Sequence, residues 1–227
     1  MRKLNSIGLL AIDSSRTRAY LDAMLQDEVC PGYAILMEDK EADLDFPPVS
    51  YFDNSTKAKD KISAMGIPNV VLETHDIHNP QVLREIKQSP TDVIIYSGPS
   101  GAILGEELLN CGKRFLHVHP GRLPDYRGST TFYYSILEEG VCGASALFLD
   151  KHIDTGPILG IREYPVPKNR RELDHGYDPF IRSDLLIRIL KEYAETSCFR
   201  EVDQVSGSGE TYFIIHPVLR HICILGK

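Results

Sequence analysis

The sequence predicts an α/β fold: a Rossmann-like, mostly parallel sheet with helices on both faces and a small C-terminal extension. Three observations predict it. Short apolar runs, such as residues 7–12 and 92–96, have the character of strands buried on both faces. Helical patterns alternate with those runs over the first two thirds of the chain, as in successive β-α-β units. The 227 residues, with 42% hydrophobic and 25% charged side chains, suit one ordinary globular domain.

Each element has its own signal. Residues 7–12 form the first strand, and Asp13-Ser14-Ser15 supply capping side chains for a helix over about 16–26. Strands follow at 33–37 and 49–52. A polar helix at about 56–65 leads to a strand at 69–72. A helix at 81–87 precedes the strand at 92–96, and the run at 114–119 closes the series. Gly98-Pro99-Ser100-Gly101 and Pro120-Gly121 fall at strand carboxyl ends, where open α/β sheets bind ligands. Tyr126, Phe132, Tyr133 and Tyr134 are placed on a helix after the last of these turns, as core residues. Beyond Asp154 the pattern changes. A strand at about 157–166, a basic turn at 168–171 and an amphipathic helix at about 179–195 come next. A flexible link at 205–209 and a strand at 210–215 end the prediction. The expected division is a catalytic domain over 1–166 and an extension over 167–227 packed on it.

Composition narrows the function. There are 25 basic and 32 acidic side chains, giving a net charge of −7, so no basic stripe for nucleic acid is apparent. No apolar stretch approaches the ~18 residues needed to span a membrane. The five scattered cysteines form no C-x-x-C pair and suit buried thiols in a reducing cytoplasm. No G-x-G-x-x-G follows the first strand, so a standard dinucleotide site is not indicated. A cytoplasmic protein without nucleic-acid or membrane partners is the expectation.

The chemistry concentrates in two segments. His117 and His119 are two apart on a predicted strand and share one face at its carboxyl end. Some way downstream, Asp150-Lys151-His152-Ile153-Asp154-Thr155-Gly156-Pro157 forms an acidic loop. The first segment continues as Pro120-Gly121-Arg122-Leu123-Pro124-Asp125-Tyr126-Arg127-Gly128. It resembles the signature of the 10-formyltetrahydrofolate-dependent formyltransferases: Asn-x-His, a short loop, then Leu-Pro-x-aromatic-Arg-Gly. Ile153-Asp154-Thr155-Gly156 resembles that family's later Asp-x-Gly loop, and the His119 to Asp154 spacing also fits. The family includes methionyl-tRNA, glycinamide-ribonucleotide and sugar-nucleotide formyltransferases, and the likeness runs from about residue 7 to 166.

That resemblance implies formyl transfer from 10-formyltetrahydrofolate to a primary amine, without a metal. The amine attacks the formyl carbon directly, so the site must supply oxyanion donors and a route for the amine proton. By the match, His119 stabilises the oxyanion, and Asp154 holds His119 charged and assists the proton. His117 stands where the family has Asn; an imidazole N–H can also donate to the formyl oxygen, but the exchange leaves altered chemistry open. Ser100, Gly101, Ala102, Ile103 and Leu104 resemble the loop lining the folate pocket, and Asp150 is assigned to folate with them.

Arg122 and Arg127 are candidates for an anionic acceptor or the folate tail. Ser14 and Ser15 open the first helix, where free N–H groups favour phosphate, although plain capping is the better explanation of them. The acceptor expected first is an amino sugar on a nucleotide, and a homodimer is left open. Two rivals stand beside this reading. One is a formate-releasing hydrolase, with metal at His117, His119, His152 and Asp154; the other is a non-catalytic folate or nucleotide-sugar binder.

Overall fold

A computed structural model describes residues 1–38, 46–205 and 207–226. The chain divides into two compact units, Met1–His117 and Val118–Lys227.

In the first unit every strand but one short edge strand is largely buried, which is why its sequence runs are apolar. β1 (Arg2–Ile12) pairs in parallel with β2 (Val29–Met37) and with β4 (Val93–Ser97). β3 (Asn69–Leu72) pairs in parallel with β2. β5 (Arg114–His119) pairs in parallel with β4. Between them run α1 (Ser15–Gln26), α2 (Ala58–Ala64), α3 (Pro80–Gln88) and the single-turn α4 (Glu106–Leu109). Ser14 caps α1, its hydroxyl accepting from the Thr17 amide at 3.2 Å. β1 and β2 start earlier than their apolar cores predict, because Arg2–Leu4 add rungs opposite Val29–Pro31.

The strand expected at 49–52 does not form. Pro47 and Pro48 precede it, and Asn54 bonds back to the Pro47 carbonyl at 2.9 Å. Asp53 then accepts from the Ser55 and Thr56 amides, a turn that delays α2 to Ala58.

The second unit holds β6 (Tyr126–Gly128), α5 (Thr131–Glu139), β7 (Val141–Phe148), β8 (Ile158–Pro165), α6 (Asp178–Thr196), β9 (Glu210–Tyr212) and α7 (Pro217–Leu225). β7 and β8 are antiparallel; β6 and β9 form a separate parallel pair. A 3-10 turn at Arg170–Glu172 and a wide turn at Leu173–Tyr177 lead into α6. The strand order in the first unit is β3-β2-β1-β4-β5, all parallel; with the antiparallel β7-β8 pair of the second unit the fold is a mostly parallel α/β arrangement.

Several expectations are corrected here. Tyr126 lies on strand β6, not on the helix with Phe132, Tyr133 and Tyr134. The strand expected over 210–215 ends at Tyr212, and α7 follows it. The link expected at 205–209 includes Ser206, which lies outside the described residues. Its neighbours turn tightly, with the Ser208 amide on the Val205 carbonyl at 3.2 Å. Of the cysteines, Cys30, Cys142 and Cys223 are buried, whereas Cys198 is exposed. Burial pushes the Cys142 thiol up to about 12.

Candidate active site

The candidate site in the second unit is built where β5 ends. His119, the last residue of that strand, is 2% exposed, and the chain turns at Pro120-Gly121 directly beneath its ring. A Cβ on Gly121 would lie 2.7–2.8 Å from Thr131 Oγ1, His119 Nε2 and the Tyr126 carbonyl, so only glycine lets these three groups converge. Ser145 on β7 fixes the turn, accepting from the Leu123 amide at 2.9 Å and donating to the Gly121 carbonyl at 2.7 Å. Thr131 opens α5 and donates to the Pro120 carbonyl at 2.6 Å.

Asp154 reaches His119 from the loop between β7 and β8. Its Oδ2 stands 3.3 Å from His119 Nδ1 and accepts from the Gly128 amide at 2.9 Å. The residue has φ of +54°, an uncommon conformation that aspartate tolerates better than most. A side chain at Gly156 would collide with the Phe148 carbonyl, so the loop needs glycine there to fold back on β7. This is the structural content of the Asp-x-Gly spacing.

His119 therefore sits between two acceptors. Its Nε2–H donates to the Tyr126 carbonyl at 2.7 Å, with Thr131 Oγ1 3.2 Å from the same nitrogen. Its Nδ1 faces the Asp154 carboxylate. Only the imidazolium satisfies both contacts. Burial opposes that charge and pulls the pKa below its ordinary value, while Asp154 and the Tyr126 carbonyl pull it upward.

The other predicted residues divide clearly. Arg122 is occupied by three carboxylates: Asp125 at 3.1 Å, Glu139 at 2.8 Å and Glu163 at 2.6 Å. Arg127 is different. It is 8% exposed, its Nη2 donates to Gln204 Oε1 at 3.1 Å, and its buried Nε has no acceptor among the described residues. Asp150 is engaged within its own loop by the His152 amide at 2.9 Å and Thr155 Oγ1 at 2.8 Å.

The remaining candidates belong to the first unit. His117 is half-buried, with its ring 6.1 Å from that of Tyr96. The loop carrying Ser100, Gly101, Ala102, Ile103 and Leu104 turns through the Ala102 amide and the Pro99 carbonyl, burying Leu104 and leaving Ile103 64% exposed. Ser14 caps its helix, and buried Ser15 accepts from Asn54 Nδ2 at 3.2 Å. Both hydroxyls thus have partners within the protein. Among the described residues, no group of three or more His, Cys, Asp or Glu side chains is placed to hold a metal ion, and no helix is long and apolar enough to cross a membrane.

A sequence model of the formyl transferase family matches residues 34–175, more than half of the chain and including both site loops. The chain belongs to the formyl transferase family. Among its relatives is the methionyl-tRNA formyltransferase of Chloroflexus aurantiacus (strain ATCC 29366 / DSM 635 / J-10-fl), 32% identical over 137 residues. That match covers 59% of this chain and 44% of the relative, so the chain spans less than half the length of that protein. Among solved structures, the phosphoribosylglycinamide formyltransferase of Anaplasma phagocytophilum superposes with a TM-score of 0.62 at 15% identity, covering 93% of this chain and 98% of that one. The sugar N-formyltransferase of Shewanella sp. FDAARGOS_354 gives 0.58 at 19% identity, covering 96% and 86%. At such identities these structures establish the shared fold. Within this formyl transferase fold, sequence reasoning missed Thr131 and Gln204. Thr131 could have been sought just after the Arg-Gly of the motif; nothing local marks Gln204.

Proposed function

We propose that this protein transfers a formyl group from 10-formyltetrahydrofolate to the primary amine of a small anionic molecule. The observation that carries the reading is the buried His119–Asp154 pair, formed by two loops distant in sequence and both inside the family match. The amine attacks the formyl carbon, giving a tetrahedral oxyanion. The carbon–nitrogen bond to the folate then breaks, and the proton lost by the amine is balanced by the one gained at the departing folate nitrogen. The His119 Nε2–H stabilises the oxyanion, and Asp154 beside it favours the imidazolium as negative charge develops on the intermediate; Asp154 also assists the proton's passage. For the Nε2–H to reach the oxyanion directly, it must exchange its bond to the Tyr126 carbonyl for one to substrate. His117 takes the place of the family's usual amide donor. Folate binding is assigned to Ser100, Gly101, Ala102, Ile103, Leu104 and Asp150, with exposed Ile103 offering apolar surface to the pterin.

Arg127 supports an anionic acceptor. A buried guanidinium with no carboxylate partner among the described residues retains its charge for a ligand. Arg122, Ser14 and Ser15 are less suited, because their polar groups already have partners in the protein. The net charge of −7 argues against tRNA as acceptor. An amino sugar carried on a nucleotide satisfies both needs, an amine and an anionic tail, and is the acceptor proposed.

The test is incubation of the purified chain with 10-formyltetrahydrofolate and a panel of amino-sugar nucleotides and phosphorylated amines, scored by product mass. A gain of one formyl group on a member is the expected result. Formate release with or without acceptor, and no formylated product, would instead indicate the hydrolase.

A further inference from the structure

We propose that Gln204 is a positioning residue of this site: its amide clamps the Asp154 loop to Arg127, so that the segment after α6 sets the geometry of the His119–Asp154 pair. The inference rests on the functional reading above for its kinetic consequence, though not for its structural one.

The Gln204 amide is used in full. Its Nε2 donates to the Asp154 carbonyl at 2.9 Å and to the Gly156 carbonyl at 2.8 Å, while its Oε1 accepts from Arg127 at 3.1 Å. The surroundings dictate that orientation. A flipped amide would set oxygen against two carbonyls and NH2 against a guanidinium. The two carbonyls flank Thr155 in the turn that gives Asp154 its positive φ, so the clamp acts on the backbone that aims the carboxylate. Arg127, at the other end of the clamp, sits in β6 beside Gly128, whose amide holds Asp154 Oδ2. One neutral side chain thus joins both loops that hold the carboxylate.

The segment carrying Gln204 is itself anchored. Val202 exchanges two backbone hydrogen bonds with Ile158, at 2.8 and 2.9 Å, at the start of β8. Phe199 stacks on Tyr193 of α6 at 4.4 Å and meets the Phe148 edge at 5.3 Å. Farther on, β9 pairs with β6. Gln204 lies between these attachments, so its backbone is already placed and only its side-chain rotamers remain to be ordered by the three contacts.

The test uses Gln204→Leu, which keeps bulk without donors, and Gln204→Asn, which keeps the amide one methylene short of spanning all three partners. The first readout is the His119 imidazole titration by 15N–1H NMR, assigned with a His119→Gln spectrum. The charged groups bearing on that ring are Asp154, Asp178 and Arg182. Loosening Asp154 removes its upward pull, so the His119 midpoint is expected to fall by about half a pH unit or more in both variants. The second readout is kinetic: kcat is expected to fall about tenfold or more with KM for the folate changed less than about threefold, as misplacement of a reacting group predicts. If Gln204→Leu does not fold, Gln204→Asn decides. An unmoved His119 titration in a folded variant overturns the proposal, whatever the rate does. Should the parent chain transfer no formyl group, the functional reading fails, while the titration still decides the role of Gln204.

Discussion

Asp154 Oδ2 stands 3.3 Å from His119 Nδ1, and the same oxygen accepts the Gly128 amide at 2.9 Å. One carboxylate oxygen therefore serves both the imidazole and the backbone of the neighbouring loop. Asp154→Asn separates these duties, because an amide oxygen can keep the Gly128 contact while the negative charge disappears. The expected outcome is a loss in kcat of about 10²–10³-fold, the range seen when one charge-stabilising group is removed. The melting temperature should fall by only a few degrees. Steady-state kinetics beside thermal unfolding checks both halves.

His119 gives stability a pH dependence of definite sign. Burial holds its folded-state pKa below the ordinary value of 6.5. In the unfolded chain the ring takes a proton near pH 6.5, whereas the folded chain does so only at lower pH. Between those two points the unfolded state binds more protons, so stability falls as the solution is acidified. Above pH 6.5 both states are neutral and the ring contributes no slope. Melting temperature should therefore drop more steeply below about pH 6.5 in the parent than in His119→Gln. Parallel curves for the two proteins would refute the assignment.

The two motif arginines should part company. Arg127→Met removes a buried cation whose only acceptor among the described residues is the neutral Gln204; relief of the buried charge offsets the lost bond, so stability should change little. Its main cost should appear in acceptor KM, raised about ten- to hundredfold by loss of a charge-assisted hydrogen bond of ~1.5–3 kcal/mol, with a smaller fall in kcat because the Gln204 clamp loses one end. Arg122→Ala should do the opposite. It breaks three ion pairs at a side chain 27% exposed, costing no more than about 1 kcal/mol, and should leave KM alone. Kinetics with the identified acceptor, beside denaturant unfolding, separates the two cases.

This contrast also marks where the sequence was readable. His119 and Asp154 could be paired in sequence through the resemblance to the formyltransferase signature, whose two motifs are each local and keep their own spacing. The parallel strands of the first unit were legible, since strands buried on both faces are written as apolar runs, but the short run at 49–52 was not a strand because Pro47, Pro48 and the Asp53 turn override it. Arg122 and Arg127 look alike in sequence; what separates them are Glu139 and Glu163, brought in by α5 and β8. β6 and β9 are three residues each and pair across most of the second unit, too short to leave a period. Gln204 has no neighbouring motif at all, because its NH2 group meets two backbone carbonyls, which carry no residue identity, and Arg127 lies 77 residues away in sequence.

Gly128 offers the sharpest test of how closely backbone and site are joined. It has φ of +95°, and an added Cβ would run into the Tyr212 carbonyl of β9. Gly128→Ala must therefore strain the left-handed backbone and push β6 from β9, moving the amide that holds Asp154. Gly140→Ala is the control: it has φ of +71° with nothing within 4 Å of the new methyl, so it bears the backbone strain alone, about 1–2 kcal/mol. At roughly 2–4 °C per kcal/mol, the control should lose about 2–8 °C and keep its kcat. Gly128→Ala should lose more in melting temperature and at least about tenfold in kcat at a temperature where it remains folded. Equal effects from the two substitutions would mean that β9 can yield without disturbing Asp154, and that Gly128 serves the turn but not the carboxylate.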